Sequence, residues 1–229
     1  MGLREEKLLT PNEVIERINL AFNRGKGLSL IRLGDGEALA LAQEAVLPWE
    51  EIQKRSFLPY AGLRRPNLQA RDQLVQCIKA ADIVGVAMNE LPDFTPLLEK
   101  VFEAHGLLPG EMTLTNACIN YFLMENALLK HFLTMERKPR VLLIGNPMPR
   151  LKPIMIREGV QITGTIWPVM GLGDWPRIVQ EARKYPFDVA LVSGGIAAVC
   201  ICHGIARDLG KIGIDFGHVA NEIINKKQF

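Results

Sequence analysis

The sequence predicts an α/β fold with a Rossmann-like, mostly parallel sheet and helices on both of its faces. Short apolar runs typical of buried strands alternate along the chain with longer stretches whose apolar residues recur at helical spacing. The 229 residues are 48% hydrophobic and 23% charged, the composition of a globular protein with a large core. Strands that alternate with helices pair in parallel, because each helix returns the chain to the same edge of the sheet.

We expect a single domain over residues 1–229, since no repeat, low-complexity segment or linker divides the chain. The net charge of +2 gives no argument for nucleic acid or a membrane surface as a partner. No apolar run reaches the roughly 18 residues of a spanning helix. The charged start lacks an apolar signal region, and the four cysteines show no metal-type spacing. We therefore expect a cytoplasmic protein with free thiols, and the sequence leaves a homo-oligomer open.

The first predicted helix begins at Thr10, which caps it, with Pro11 in its first turn and Glu13 positioned to bond back to the cap. Its apolar stripe ends at Gly25, and residues 28–33 then read as a buried strand. The later elements follow in regular alternation. Helices are predicted at 38–45, 68–80, 96–105, 116–134, 149–157, 174–184 and 196–209, and strands at 83–87, 112–115, 140–144, 161–167, 187–192 and 212–216.

Two segments of the chain are predicted to be irregular. Residues 34–37 alternate two glycines with two acids, which predicts a tight turn after the first strand. Residues 46–66 mix aromatic residues with proline and glycine. They form either a structural connection or a loop over a site.

Ligands of open parallel sheets bind beyond the carboxyl ends of the strands, so the residues that follow each strand are the candidates for a site. Small and polar residues recur at these positions, and this recurrence is stronger evidence than any one of them. They are Gly34, Asp35, Gly36 and Glu37; Met88, Asn89 and Glu90; Asn116 and Asn120; Gly145 and Asn146; Ser193, Gly194 and Gly195; and Asp215, Gly217 and His218.

Each candidate also has a structural interpretation. Asn116 can be a helix cap, Gly145-Asn146 can be a simple turn, and Asp35 and Glu37 can be solvated acids. Residues 193–195 precede a helix and offer backbone amides to a phosphate, although the full dinucleotide fingerprint is absent. His218 suits a metal ligand, a phosphate donor, an acid–base group or a structural role.

The two acids after the first strand suit a divalent cation. Asp35 and Glu37 supply hard oxygen ligands two residues apart, which favours Mg²⁺ or Mn²⁺ with positions left for water and phosphate. Gly34 and Gly36 allow a phosphate to approach the backbone. Arg32, within the strand, can pair with a carboxylate or reach a diphosphate.

The segment Arg32-Leu33-Gly34-Asp35-Gly36-Glu37 resembles the R-x-G-D-G-E signature of the bacterial GT-D-fold glycosyltransferases, which carry an Asp-x-Glu metal motif. The stretches 188–195 and 206–218, the second ending in Asp215-Phe216-Gly217-His218, are similar to that family's closing segment. The two motifs lie near opposite ends of the chain, so the resemblance spans most of it.

The resemblance implies transfer of a sugar from a nucleotide diphosphate donor, UDP-glucose in the best known case, to a glycan or glycoprotein acceptor. It implies that Asp35 and Glu37 hold Mn²⁺ or Mg²⁺, directly or through water. The matching positions of this chain are Arg32, Gly34, Gly36, Asp215, Gly217 and His218, and we count His218 as a candidate third metal ligand.

The identity of the base that activates the acceptor hydroxyl stays open among Asp215, His218 and Glu90. Two other functions also stay open. One is a non-catalytic nucleotide-sugar-binding or scaffold module in a glycosylation pathway. The other is a nicotinamide-dependent oxidoreductase, which the missing glycine fingerprint disfavours.

Overall fold

The computed structural model describes residues 7–87 and 94–229, and seven strands of this part of the chain form one sheet. The strands are β1 (Leu28–Leu33), β2 (Ile83–Val86), β3 (Leu114–Asn116), β4 (Val141–Gly145), β5 (Ile162–Ile166), β6 (Val189–Ser193) and β7 (Ile212–Asp215). Their order across the sheet is β3-β2-β1-β7-β6-β4-β5, and every neighbouring pair runs parallel. The predicted fold class is therefore confirmed.

Twelve α-helices lie in the described residues. They are α1 (Pro11–Arg24), α2 (Asp35–Ala42), α3 (Trp49–Ile52), α4 (Leu58–Ala61), α5 (Leu68–Lys79), α6 (Thr95–Ala104), α7 (Ile119–Glu125), α8 (Leu128–Thr134), α9 (Met148–Arg157), α10 (Trp175–Ala182), α11 (Ala197–Leu209) and α12 (Val219–Lys226). None of these helices has the length and apolar character needed to cross a bilayer.

The helices cover the sheet on two faces, each with its own apolar cluster. Strand residues alternate between the faces, as the pleat requires: in β1, Ile31 and Leu33 join one cluster while Leu28 and Leu30 join the other. Helices α2, α5, α6, α10 and α11 contribute to the first cluster, and helices α1, α7, α8, α9 and α12 contribute to the second. Near-continuous burial of the strands follows from this double cover.

The chain changes face between β4 and β6, which are neighbours in the sheet. From β4 it passes through α9 on one face to β5, and from β6 it passes through α11 on the other face to β7. Connections that leave adjacent strands in opposite directions open a crevice at their carboxyl ends, the usual ligand position in such sheets. Gly145 and Ser193 are paired in register at this crevice.

The capping box predicted for the first helix is present, with the Thr10 backbone amide 2.8 Å from the carboxylate of Glu13. In three other places the helices of the structure differ from the prediction. The helix predicted over 116–134 is two helices, α7 and α8, because Ala127 takes a left-handed backbone conformation with φ 54°. Residues 46–66 contain the short helices α3 and α4, and α12 was not predicted at all.

A carboxylate clamp joins three strands at their N-terminal ends, which we call the amino edge of the sheet. Asp188, just before β6, accepts hydrogen bonds from the backbone amide, Nε and Nη2 of Arg140 at 3.0, 3.0 and 2.8 Å. Lys211, just before β7, places its Nζ 3.7 Å from the same carboxylate. The hydrogen bonds and charge of Arg140, followed by the charge of Lys211, outweigh partial burial and lower the pKa of Asp188.

Replacement of Asp188 by asparagine should lower the free energy of unfolding by about 1–3 kcal/mol, since hydrogen bonds to a charged group are lost. The depressed pKa sets the pH dependence. The stabilisation from the charged carboxylate is complete above the unfolded-state pKa of about 4 and is lost as the pH falls through the lower folded-state pKa. Urea unfolding of both proteins between pH 7 and pH 2.5 measures the difference. Asp72→Asn, at a side chain that is 63% exposed, should leave stability within about 0.5 kcal/mol, and an equal loss in both variants would contradict the clamp.

Candidate functional site

Arg32 is the centre of a polar network at the C-terminal ends of the strands, which we call the carboxyl edge of the sheet. Its side chain leaves β1 and is only 18% exposed. Nη1 donates hydrogen bonds to the carbonyl of Ala117 and to Oδ1 of Asn120, both at 3.0 Å. Nη2 lies 3.3 Å from Oδ1 of Asp215, the last residue of β7. One guanidinium therefore joins β1, α7 with the turn before it, and β7.

Two glycines leave the space that the Arg32 side chain occupies. Gly85 is the register partner of Arg32 in β2, and a Cβ atom there would lie 3.2 Å from the Cγ of Arg32. Gly217 has φ +54°, and a Cβ atom there would overlap Nη2 of Arg32. The arginine can reach Asp215 and Asn120 only because both neighbours lack a side chain.

Asp215 and Asn120 complete the buried part of this network. Asp215 is 3% exposed and Asn120 is 1% exposed. The Nδ2 of Asn120 donates to the carbonyl of Phe216 at 3.0 Å, which holds the turn after β7 against α7. Burial raises the pKa of Asp215, and the charge of Arg32 opposes this rise.

The two acids of the Asp-x-Glu segment lie in the first turn of a helix and not on an exposed turn, so that prediction is wrong. Helix α2 begins at Asp35, with Gly34 as the extended residue before it. The Oε2 of Glu37 accepts the backbone amide of Gly34 at 2.9 Å, and the Oδ1 of Asp35 accepts the amide of Gly36 at 2.8 Å. The helix starts here because the Glu37 carboxylate satisfies an amide that has no partner within the helix.

Glu37 titrates near neutral pH in this environment. Burial, followed by the negative charge of Asp215, raises its pKa to about 7. The hydrogen bond from Gly34 and the charge of Arg32 act in the opposite direction but are outweighed. A half-buried carboxylate near a second acid is stabilised in its charged form by any cation that binds beside it.

The start of α2 packs closely against two neighbouring segments of the edge. A Cβ atom on Gly36 would lie 3.3 Å from Ile196 and 3.4 Å from Ala61, the last residue of α4. Gly195, with φ +57°, also approaches the backbone of Ala61, and the amide of Ile196 donates to the Ala61 carbonyl at 3.0 Å. Gly36 and Gly195 therefore permit a close backbone approach, which brings the Asp-x-Glu helix beside the turn after β6.

The crevice between β4 and β6 is adjacent to this cluster. Ser193 donates its hydroxyl to the carbonyl of Gly217 at 2.8 Å, which links the ends of β6 and β7. Gly145 has φ +137°, and a Cβ atom there would overlap the carbonyl of Ser193. The side chain of Asn146 accepts the amide of Val169 at 2.9 Å and donates to its carbonyl at 3.3 Å, which fixes the segment that walls the crevice. A Cβ atom added to Gly194 would lie 3.5 Å from the side chain of Val169.

His218 is exposed to solvent at the carboxyl edge, three residues after the end of β7. It precedes α12, and its ring stacks on Tyr60 of α4 with centroids 6.1 Å apart and planes 7° from parallel. Tyr60 is itself 75% exposed. The structure thus adds Tyr60, which is not among the candidates predicted from the strand ends. Its place within the aromatic-rich irregular segment 46–66 was the available signal.

The structure describes only one of the remaining two candidates, Asn116 and Glu90. Asn116 ends β3, and its Oδ1 accepts the amide of Cys118 at 2.7 Å, as a residue shaping a local turn does. Glu90, with Met88 and Asn89, lies outside the described residues, so its selection as a base stays a prediction.

The donor set fits a hard divalent cation. Asp35 and Glu37 offer carboxylate oxygens within one helical turn, and Mg²⁺ is commonly held by one or two carboxylates with water and phosphate completing its shell. Within residues 7–87 and 94–229, no three His, Cys, Asp or Glu side chains are grouped for a metal. Asp35, Glu37 and His218 therefore do not form a three-ligand set in this structure, and metal binding stays a prediction.

The all-parallel sheet defines a Rossmann-like α/β protein, and its polar residues lie at the carboxyl edge, where ligands bind in such sheets. The chain belongs to the GT-D fold-like domain family, whose model matches residues 9–223. It thus has a glycosyltransferase-type fold, as the Arg32–Glu37 segment and the closing segment predict. No curated protein and no solved structure matches the chain.

Substitution of Gly217 by alanine should displace Arg32 and destabilise the protein. The left-handed backbone alone costs about 1–2 kcal/mol, and overpacking against the guanidinium adds about 1–3 kcal/mol. Gly106→Ala is the matched control, because Gly106 has φ +58° and nothing within 4 Å of an added Cβ atom. Chemical denaturation measures both variants, and equal losses of stability would show that Gly217 makes no space for Arg32.

Proposed function

We propose that this protein is a metal-dependent glycosyltransferase that moves a sugar from a nucleotide diphosphate donor, a UDP-sugar, to a glycan or glycoconjugate acceptor. Membership of the GT-D fold-like family supports the reaction class. The observation that carries the proposal is the arrangement of the edge: the Asp-x-Glu helix start, Arg32 and the Asp215–His218 turn converge at the carboxyl ends of β1 and β7.

Arg32 is suited to the diphosphate of the donor. Its Nε is a buried donor without a hydrogen-bond partner in the described part of the chain. Because Nε is enclosed by the fold, a phosphate would instead meet the exposed 18% of the side chain, where its oxygens accept charge-assisted hydrogen bonds and balance the positive charge. The charges of Asp215 and Glu37 outweigh burial and raise the pKa of Arg32, so the guanidinium keeps its charge.

The distance between β1 and β6 suits the length of a nucleotide diphosphate. Strand β1 is two strand spacings, about 10 Å, from β6. We place the diphosphate beside Arg32 and the start of α2, and the nucleoside over the crevice lined by Gly145, Ser193 and Gly194. Backbone amides at the start of α2 favour negative charge in the same position.

Departure of the nucleotide diphosphate requires stabilisation of growing negative charge. Mn²⁺ or Mg²⁺ held by Asp35 and Glu37 supplies Lewis-acid stabilisation of that charge when bound. Arg32 orients the phosphates, and Asp215 keeps Arg32 in position through their ion pair. Asn120 holds the other side of the guanidinium and thereby the turn that carries His218.

His218 is the described residue best placed to accept the proton of the acceptor hydroxyl. It is exposed at the mouth of the edge, whereas Asp215 is buried and paired with Arg32. An imidazole within reach of the acceptor hydroxyl can take up its proton during transfer. Tyr60 stacks on the ring and limits its orientation.

Glu37→Gln should weaken Mn²⁺-dependent binding of UDP-sugar about tenfold or more while the protein stays folded. The amide oxygen can still accept the hydrogen bond of Gly34, but the negative charge is lost. Asp35→Asn should act in the same direction. Calorimetry with UDP-glucose, with and without Mn²⁺, measures the effect, and thermal melting checks the fold.

Glu51→Gln is the matched control for these substitutions, since Glu51 is exposed and pairs with Lys54, three residues along the chain. It should bind the donor like the parent protein. Normal Mn²⁺-dependent binding by either Glu37→Gln or Asp35→Asn would remove the metal assignment. Donor binding by the parent protein without hydrolysis or transfer over a broad acceptor panel would favour a binding or scaffold module.

His218→Ala should reduce sugar transfer about 100-fold or more, the lower end of the range for a general base. The melting temperature should change little because the side chain is exposed. Rates of donor hydrolysis and of transfer, measured against pH, separate a base from a structural residue. Tyr60→Phe keeps the stacked ring and should retain activity. Unchanged transfer by His218→Ala would exclude the proposed role.

A further inference from the structure

A cleft at the amino edge of the sheet lies on the side opposite to the proposed donor site. It has a volume of about 330 Å³ and is bounded by the C-terminal end of α1 and the segments that precede β4, β6 and β7. We call it the basic cleft, and its charged side chains are Lys26, Arg137, Lys138, Arg140, Lys211 and Asp188. Five cations thus face one carboxylate in a space of the size that small ligands occupy.

The single carboxylate of the basic cleft, Asp188, is already paired with cations of the fold. Asp188 receives both ends of the Arg140 guanidinium at 3.0 and 2.8 Å and has Lys211 at 3.7 Å. Lys26, Arg137 and Lys138 make no ion pair within residues 7–87 and 94–229. Their charge is therefore available to an anion that enters the cleft.

The position of these three cations is not explained by stabilisation of helix ends. Basic residues stabilise a helix dipole within its last turn. Helix α8 ends at Thr134, before Arg137 and Lys138, and α1 ends at Arg24, before the cap residue Gly25 and Lys26. Arg137 is instead held over the ring of Phe22, with Cζ 5.2 Å from the centroid.

A second cleft of about 380 Å³ extends the positive surface along α1. It shares Ala21 and Lys26 with the basic cleft and adds Arg17 and Arg24. Its carboxylate, Asp82, accepts the backbone amide and hydroxyl of Ser29 at 2.7 and 2.8 Å. Two adjacent clefts thus present cations while their acids are engaged within the fold.

We propose that the basic cleft binds a ligand that carries clustered phosphates, away from the carboxyl edge of the sheet. Guanidinium and ammonium groups around a concave surface match phosphate oxygens in charge and hydrogen-bond geometry. A soluble polyphosphate and the headgroup of an anionic lipid share this chemistry. The proposal does not depend on the proposed glycosyltransferase activity.

The test uses inorganic tripolyphosphate as the soluble probe, and vesicles of phosphatidylglycerol with phosphatidylcholine as the lipid probe. The double variant Arg137→Gln/Lys138→Gln should weaken binding of the effective probe about tenfold or more, because charge-assisted hydrogen bonds are removed. Arg183→Gln/Lys184→Gln is the matched control. It removes an adjacent, exposed arginine and lysine after α10 that also make no ion pair in the described part of the chain.

Calorimetry at about 0.1 M salt measures tripolyphosphate binding, and cosedimentation measures vesicle binding, with pure phosphatidylcholine as the blank. Any tripolyphosphate held at the carboxyl edge is common to both variants, so their difference reports the basic cleft. Selective loss of tripolyphosphate binding assigns a soluble polyphosphate, and selective loss of vesicle binding assigns a lipid headgroup. Equal weakening in the two variants, or no binding of either probe by the parent protein, would overturn the proposal.

Discussion

The buried guanidinium of Arg32 is the constraint on which the carboxyl edge depends. A buried charge requires a partner of opposite charge, and removal of one partner from such a pair typically costs about 3–5 kcal/mol. Here the partners come from β7 and from the segment around α7, which are far apart in the chain but adjacent in the sheet. Correct pairing of Arg32 thus requires β1 to lie between β2 and β7, with Gly85 and Gly217 beside it.

This arrangement also sets the electrostatics of the Asp-x-Glu helix start. Burial and the charge of Asp215 raise the pKa of Glu37 to about 7, while Arg32 opposes the rise. A carboxyl group with that pKa changes charge over the physiological range, and it gains most from an added positive charge. The edge therefore combines acids that favour a cation with an arginine whose positive charge favours an anion. A nucleotide diphosphate accompanied by a divalent cation supplies both.

Local patterns in the sequence were sufficient for most of the fold. Strand β1 and helix α1 follow from an apolar run and a capping box, which depend on residues close together in the chain. The break at Ala127 is not predictable because an alanine in a left-handed conformation carries no composition signal. Helix α12, in contrast, carries an apolar stripe of Val219, Ala220, Ile223 and Ile224 that is visible in the sequence. At the site, several of the candidate residues at the strand ends lie close together in the structure, such as Arg32 with Asp215 and Ser193 with Gly217. Their roles were not predictable, because the contact between Arg32 and Asp215 depends on strand order.

Strand order and direction also separate charge within the molecule. In a parallel sheet every strand ends at the same edge, and every returning helix ends at the other. Here Asp35, Glu37 and Asp215 lie at the carboxyl edge, and Lys26, Arg137 and Lys138 lie at the amino edge. The net charge of +2 is a sum over the whole chain and describes neither of these two surfaces. Arguments about binding partners for such a fold must therefore be made for each edge separately, since fields from exposed charges decay within about 8–10 Å at physiological salt.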